Sequence, residues 1–155
     1  MTTISAAPNG SRCLVDTNVL LRLTQTVEEM PRQHLAIEDL LDHGNRLFTT
    51  FQNVAEFWNV STRPLLQNGR GLAAGDVLKN VSLIELKFEI LTEDRNTYHR
   101  WLNLLVQFKV SGRQVHDARL VAHMLEHNIP YLLTSNIKDF DRYPQIQLLD
   151  PEHWT

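Results

Sequence analysis

Asp16 closes a short apolar run, Cys13-Leu14-Val15, and opens a helical pattern that begins at Thr17. A carboxylate at such a junction either caps the helix, which suits Asp, or stands at the rim of a site. Three more groups of oxygen-bearing side chains follow. Glu56 lies in "TTFQNVAEFWNVST", and Asp117 in "QVHDARLVAHMLEHN". The stretch "LLTSNIKDFDRYP" presents Thr134, Ser135, Asn136, Asp139 and Asp141 directly after an apolar run, with Asp141 as the outer, solvated member.

On a helix Asp117 shares a face with Leu120, Val121 and Met124, while Arg119, His123, Glu126 and His127 take the opposite face. A core-facing carboxylate is unfavourable unless compensated. Either first-turn amides and the helix dipole satisfy it, or a cation does. Glu56 falls outside the stripe Phe51, Val54, Ala55 and Trp58, a position that suits solvent as well as a cleft. Two like charges about 4 Å apart repel by roughly 4 kcal/mol at an effective dielectric near 20. A cluster of these acids therefore needs a proton or a cation, and an all-oxygen donor set selects Mg²⁺ or Mn²⁺ over Zn²⁺.

The elements that must position these groups alternate along the chain. Strands are expected at "CLV", 46–49, 88–91, 131–134 and 146–149, and helices near 17–24, 31–43, 51–62, 73–83, 95–109 and 114–127. Thr50 can cap the helix opening at Phe51. The glycine-rich "RPLLQNGRGLAAGD" reads as the most mobile loop. Strands separated by helices imply an α/β/α sandwich around a mainly parallel five-stranded, Rossmann-like sheet. In such sheets ligands bind beyond the C-terminal ends of the strands, where strand order reverses. Asp16 and the Thr134 group fall at those ends.

The 155 residues suit one domain, read as 12–155 behind a flexible tail, 1–11. A net charge of −3 gives no global attraction to nucleic acid, so a phosphate partner requires local cations. No apolar stretch reaches bilayer length, the N-terminus lacks signal-peptide architecture, and a single cysteine, Cys13, suits a reducing cytoplasm. Cys13 reads as a small buried hydrophobe.

The segments "LVDTNVLL", "NVAEFWNV", "HDARLVAHML", "LLTSNIKDF" and "IQLLDP", in this order, resemble the PIN-domain family, especially VapC-like toxins of bacterial toxin–antitoxin pairs. The resemblance runs from Arg12 to Pro151. It implies a PIN-like fold and a metal-dependent endoribonuclease with an acidic quartet at Asp16, Glu56, Asp117 and an acid of "TSNIKDF". Many members carry Asp where this chain has Asn136, which leaves Asp139 to supply that charge. By the same resemblance, Asp16 and Asp117 bind Mg²⁺ or Mn²⁺ directly, Glu56 binds metal or orients water, and Asp139 is an outer ligand. Thr17, Asn18, Thr134 and Asn136 hydrogen-bond around them. An RNA substrate, a cognate antitoxin over the acidic cleft and a homodimer are also implied.

Two other readings compete. One is a PIN scaffold without chemistry that acts as a binding module, favoured by Asn136. The other is an Asp-based phosphotransfer domain, disfavoured because "VDTN" lacks the D-x-D pattern of Asp-dependent phosphatases. His116, His123 and His127 read as a solvated helix face rather than a zinc site. Of the cations near these motifs, Arg63, Arg70, Arg113, Lys138 and Arg142, the candidates for phosphate contact are Arg113 and Lys138. Trp58 and Trp101 read as core, and Trp154, if exposed, as part of an interface.

Overall fold

A computed structural model describes residues 6–155. Five strands form one sheet: β1 (Arg12–Val15), β2 (Arg46–Thr50), β3 (Glu89–Leu91), β4 (Tyr131–Leu133) and β5 (Gln147–Leu149). Their order is β3-β2-β1-β4-β5, and every pairing is parallel. The helices are α1 (Thr17–Leu23), α2 (Pro31–Asp42), α3 (Phe51–Thr62), α4 (Ala74–Lys87), α5 (Arg95–Gln107), α6 (Gln114–Glu126) and α7 (Ile137–Phe140). The expected α/β/α arrangement is therefore the observed one.

Strand periodicity divides the core. Cys13 and Val15 face a layer built with Leu20, Ile37, Phe57 and Ile84, whereas Leu14 faces Leu104, Val121, Met124 and Phe140 on the other side. Strand order reverses between β1 and β4. There Val15 pairs with Leu133, which brings Asp16 level with Thr134. The Asp16 amide extends the ladder by donating to Leu133 O at 3.0 Å.

Several expectations need correction. The buried face of α3 is Asn53, Phe57 and Ser61, and Phe51 is 66% exposed. Two polar residues occupy that buried face, so apolar spacing pointed to the wrong stripe. Ala55 is exposed, and Trp58 and Trp101 only border the core. α4 runs four residues beyond its expected end, and α7 forms where no helix was expected. The glycine-rich loop folds back on α3, with Arg70 N donating to Val60 O and Leu72 N to Ser61 O, both at 2.9 Å. Trp154 is buried and donates from Nε1 to Asp39 Oδ2, so it belongs to the core rather than to an interface. His123 is fully buried, because α5 and the sheet both cover α6. Its imidazole stacks on His127 and meets Glu93 at 3.3 Å. Burial also lowers its pKa, so the face is not solvated at His123, whereas His116 is exposed as expected.

Residues 1–5 of the expected tail lie outside the described residues. Its C-terminal end is tied down, with Gly10 N donating to His43 O and Ser11 N to Asn45 Oδ1. Cys13 is buried, and burial pushes its thiol up to about 12. Among the described residues no helix is long and apolar enough to cross a membrane.

The corrected face of α3 separates two substitutions. Phe57→Ala is expected to cost about 3–5 kcal/mol in urea unfolding, and Phe51→Ala less than about 0.5 kcal/mol. Equal costs would contradict the observed helix orientation.

Candidate functional site

Asp16 combines both sequence readings. It is the N-cap of α1, with Oδ1 accepting from Thr17 N at 2.8 Å, and it also stands where β1 and β4 diverge. Asn53 Nδ2 reaches the same oxygen at 3.3 Å. Oδ2 accepts from Thr134 Oγ1 at 2.9 Å and from Asn18 Nδ2 at 3.1 Å. Four donors from three separate segments thus fix one carboxylate. Burial still outweighs them and raises its pKa to about 6, with the Glu56 charge adding to the rise.

Asn53 was missed in the sequence, although its position is signalled there. It is the third residue after Thr50, the spacing of a capping box. The Asn53 amide N–H donates to Thr50 Oγ1, while Asn53 Oδ1 accepts from Thr50 N and from the Thr50 hydroxyl. Its Nδ2 remains free to donate to Asp16 Oδ1 and, at 2.9 Å, to Thr17 Oγ1. One fully buried amide therefore closes the start of α3 and orients the acid.

The network continues outward. Thr17 Oγ1 donates to Glu56 Oε2 at 2.8 Å, and Gln52 Nε2 donates to Glu56 Oε1 at 3.0 Å and to His116 O at 3.2 Å. Glu56 is half-buried at the cleft rim, one turn after Asn53. Asn18 Oδ1 accepts from Ser135 N, and Asn136 N donates to Thr134 Oγ1. Thr17, Asn18 and Thr134 thus hydrogen-bond around Asp16 and Glu56. Asn136 contributes its backbone, and its exposed side chain takes no part in capping α7.

Asp117, in the first turn of α6, is the converse of Asp16. It is half-buried, and no donor among the described residues satisfies it. Burial, followed by the charges of Asp139, Asp16 and Glu56, raises its pKa to about 7, and Arg142 opposes them. Asp139 is exposed at the start of α7. The four sequence-predicted acids therefore act on one another across the cleft. Arg113 and Lys138 are exposed, and neither pairs with these acids. Arg142 is the cation whose charge reaches Asp117, from a guanidinium that donates to Gln114 Oε1 at 2.6 Å.

The donor set is all oxygen, its charge is undercompensated, and the buried Gln52 Oε1 is without a partner among the described residues. These features fit a hard dication. Among the described residues, however, no three His, Cys, Asp or Glu side chains stand grouped at metal-ligand spacing.

A sequence profile described as PIN domain matches residues 13–146. No curated protein matches the chain. Among solved structures, the chain is similar to VapBC2 from Rickettsia felis bound to a fragment of promoter DNA. That match has 18% identity, covers 90% of this chain and 98% of that one, and has a TM-score of 0.67. FitAcB from Neisseria gonorrhoeae matches at 17% identity, 91% and 99% coverage, and a TM-score of 0.65. VapC20 from Mycobacterium tuberculosis, described as a sarcin-ricin loop cleaving toxin, matches at 13% identity, 81% and 92% coverage, and a TM-score of 0.56. At these identities the likeness to the three structures is one of fold.

Asn53→Ala should leave Asp16 and Thr17 short of a buried donor and cost about 1–3 kcal/mol in urea unfolding. A neutral result would remove Asn53 from the network. Asp117 yields a pH prediction. Because its folded pKa is raised, the folded state holds a proton that the unfolded chain releases. Its stabilising contribution is therefore present below the ordinary carboxylate range and lost as pH rises through about 7. In EDTA, Asp117→Asn should melt above the wild type at about pH 8, and this advantage should shrink towards about pH 4. A pH-independent difference would contradict the crowding of charge.

Proposed function

The chain belongs to the PIN domain family, and from that premise we propose a divalent-metal-dependent endoribonuclease, the toxin of a toxin–antitoxin pair. The observation that carries this reading is the Asp117 carboxylate, half-buried, without a donor, and pressed by three other acids. Its roughly neutral pKa lets it hold or release a proton under ordinary conditions. Asp16 and Asp117 would hold Mg²⁺ or Mn²⁺, with Glu56 and Asp139 completing the acidic set. When bound, the ion would supply positive charge to the phosphate oxygens and increase the acidity of a water. Asp16 is immobilised for this task by Asn53, Asn18 and Thr134, and Glu56 is aimed by Thr17 and Gln52. Arg142 brings positive charge to the same cleft.

RNA as substrate is our reading of the likeness to VapC20, whose description names the sarcin-ricin loop as what it cleaves. An antitoxin is supported by the neighbouring complexes and by an apolar groove of about 280 Å³ beside α1 and α4. Leu20, Leu23, Leu83, Ile84 and Leu86 line this groove, and Leu83 and Leu86 are well exposed. A homodimer is supported by Tyr98, Leu102 and Val106, exposed along one stripe of α5. Cytoplasmic placement rests on the free, buried Cys13. The second reading, a binding module without chemistry, is favoured by the uncharged Asn136 beside the acids.

One pair of measurements separates the two. RNA cleavage with Mg²⁺ or Mn²⁺ should cease in EDTA and fall by roughly a hundredfold or more in Asp16→Asn and Asp117→Asn. Calorimetry should show Mn²⁺ binding that collapses in Asp117→Asn. Intact Mn²⁺ binding with no cleavage of any RNA would favour the binding module. Cleavage indifferent to both EDTA and substitution would end the nuclease reading.

A further inference from the structure

The arginines differ in how their charge is met. Arg46 pairs with Glu89 at 2.8 Å, Arg100 with Glu126 at 2.5 Å, and Arg119 with Glu93. The other arginines, Arg22 and Arg70 among them, have no carboxylate oxygen within 4.0 Å among the described residues; these two are the pair gathered at the end of α1. Arg22, in the last turn of α1, donates from Nη1 to Asn18 O at 3.0 Å. Arg70 donates from Nη1 to Thr24 Oγ1 and from Nη2 to Gln25 Oε1 at 3.3 Å. All three acceptors are neutral. Thr24, which Arg70 binds, is the C-cap residue of α1, two positions after Arg22, so both arginines gather at the same helix end. Burial, and then the charge of Arg22, lowers the pKa of Arg70.

Arg70 is held there by its loop. Its own amide donates to Val60 O, and the amides of Gly71 and Leu72 donate to Arg63 O and Ser61 O, all at 2.9 Å. Only glycine fits at position 69, because a Cβ there would lie 1.9 Å from the Arg63 carbonyl oxygen. The loop is thus closely built, and what it delivers to the end of α1 is a second positive charge. One cation at a helix C-terminus is favourable by about 0.3–1 kcal/mol. A second beside it, with no carboxylate within 4.0 Å although Glu29 lines the same pocket, offsets part of that gain.

The place explains the arrangement. Asn18, whose amide binds both Asp16 and Thr134, stands one turn before Arg22, about 6 Å along α1 at the helical rise. A strand with one phosphate in the acidic cleft carries its neighbouring phosphates only a nucleotide away, and those phosphates need cations. Planar guanidinium groups suit phosphate oxygens. We propose that Arg22 and Arg70 form a subsite for a backbone phosphate of single-stranded RNA, next to the acidic cleft. This rests on the reading of that cleft as a phosphodiester site, and it adds where the strand runs.

The test needs no turnover. Anisotropy of a fluorescein-labelled single-stranded RNA oligonucleotide is measured in EDTA across a potassium chloride series, for the full-length wild type, Arg22→Gln, Arg70→Gln and the ion-paired control Arg46→Gln. Removing one arginine from a phosphate should flatten the slope of log affinity against log salt by about 0.7. Arg22→Gln and Arg70→Gln should each show that change, with melting temperatures unchanged or raised, and Arg46→Gln should not. Slopes equal to wild type, or no wild-type binding, overturn the subsite. A fall in melting temperature with an unchanged slope also overturns it, assigning both cations to the end of α1. An unchanged slope with weakened binding of the cognate antitoxin overturns it in favour of an acidic protein segment. Arginine-dependent slopes in a protein that cleaves no RNA would leave the subsite standing and end the nuclease reading alone.

Discussion

A carboxylate buried at the end of the central strand is the constraint around which this structure is organised. Asp16 is 7% exposed, and taking its charge out of water is costly unless donors replace the lost hydration. The replacements come from far apart in sequence: Thr17 and Asn18 on α1, Asn53 on α3, and Thr134 after β4. β1 must pair correctly with both β2 and β4 for all four to arrive. Folding of the parallel sheet and assembly of the acid's surroundings are therefore one event. The donors do not fully restore the charged form, because the carboxyl still titrates near 6. The fold thus retains an electrostatic cost at its centre, which is the usual mark of a functional position.

The two inner acids divide the work by environment. Asp16 is rigid and saturated with donors, whereas Asp117 is half-exposed, without a donor, and pushed higher by its neighbours' charges. A saturated carboxylate keeps its place whatever binds. An unsaturated one gains most from a cation or a proton. Placing the second on the first turn of α6 exposes it at the mouth of the crevice, while Ala118, Leu120 and Val121 anchor the same turn in the core.

Much of this was legible in the sequence because strand and helix periodicities are strong here. All five strands and six of the seven helices were expected close to where they occur. The order of strands is a tertiary fact, yet the rule of binding at strand ends still singled out Asp16 and Thr134. Legibility failed wherever a polar residue took a buried position. Asn53 and Ser61 replaced apolar residues on the inner face of α3, which hid that face and with it the residue that orients Asp16. His123 was misassigned for the same reason, since a histidine at a core position carries no periodic signal distinct from a surface one. Arg142 could not be singled out from Arg113 and Lys138, because the short helix α7 decides which cation turns back to Asp117, and its four residues show no pattern.

The distribution of charge matters more here than its sum. At −3 overall, with four acids at one mouth, the chain should repel a polyanion. Two of its arginine ion pairs lie towards the opposite end of the sheet, Arg46 at the start of β2 with Glu89 and Arg100 with Glu126 at the end of α6, while Arg119, two residues after Asp117, is matched by Glu93. Cations so paired contribute little field beyond their own partners. Arg142, Arg22 and Arg70 instead spend their hydrogen bonds on neutral groups and keep their charge uncancelled around the strand-end crevice. An acidic centre within an unneutralised cationic surround attracts small cations to the middle and anions to the edge. That pattern suits the metal-assisted reaction on a phosphate chain proposed for this site.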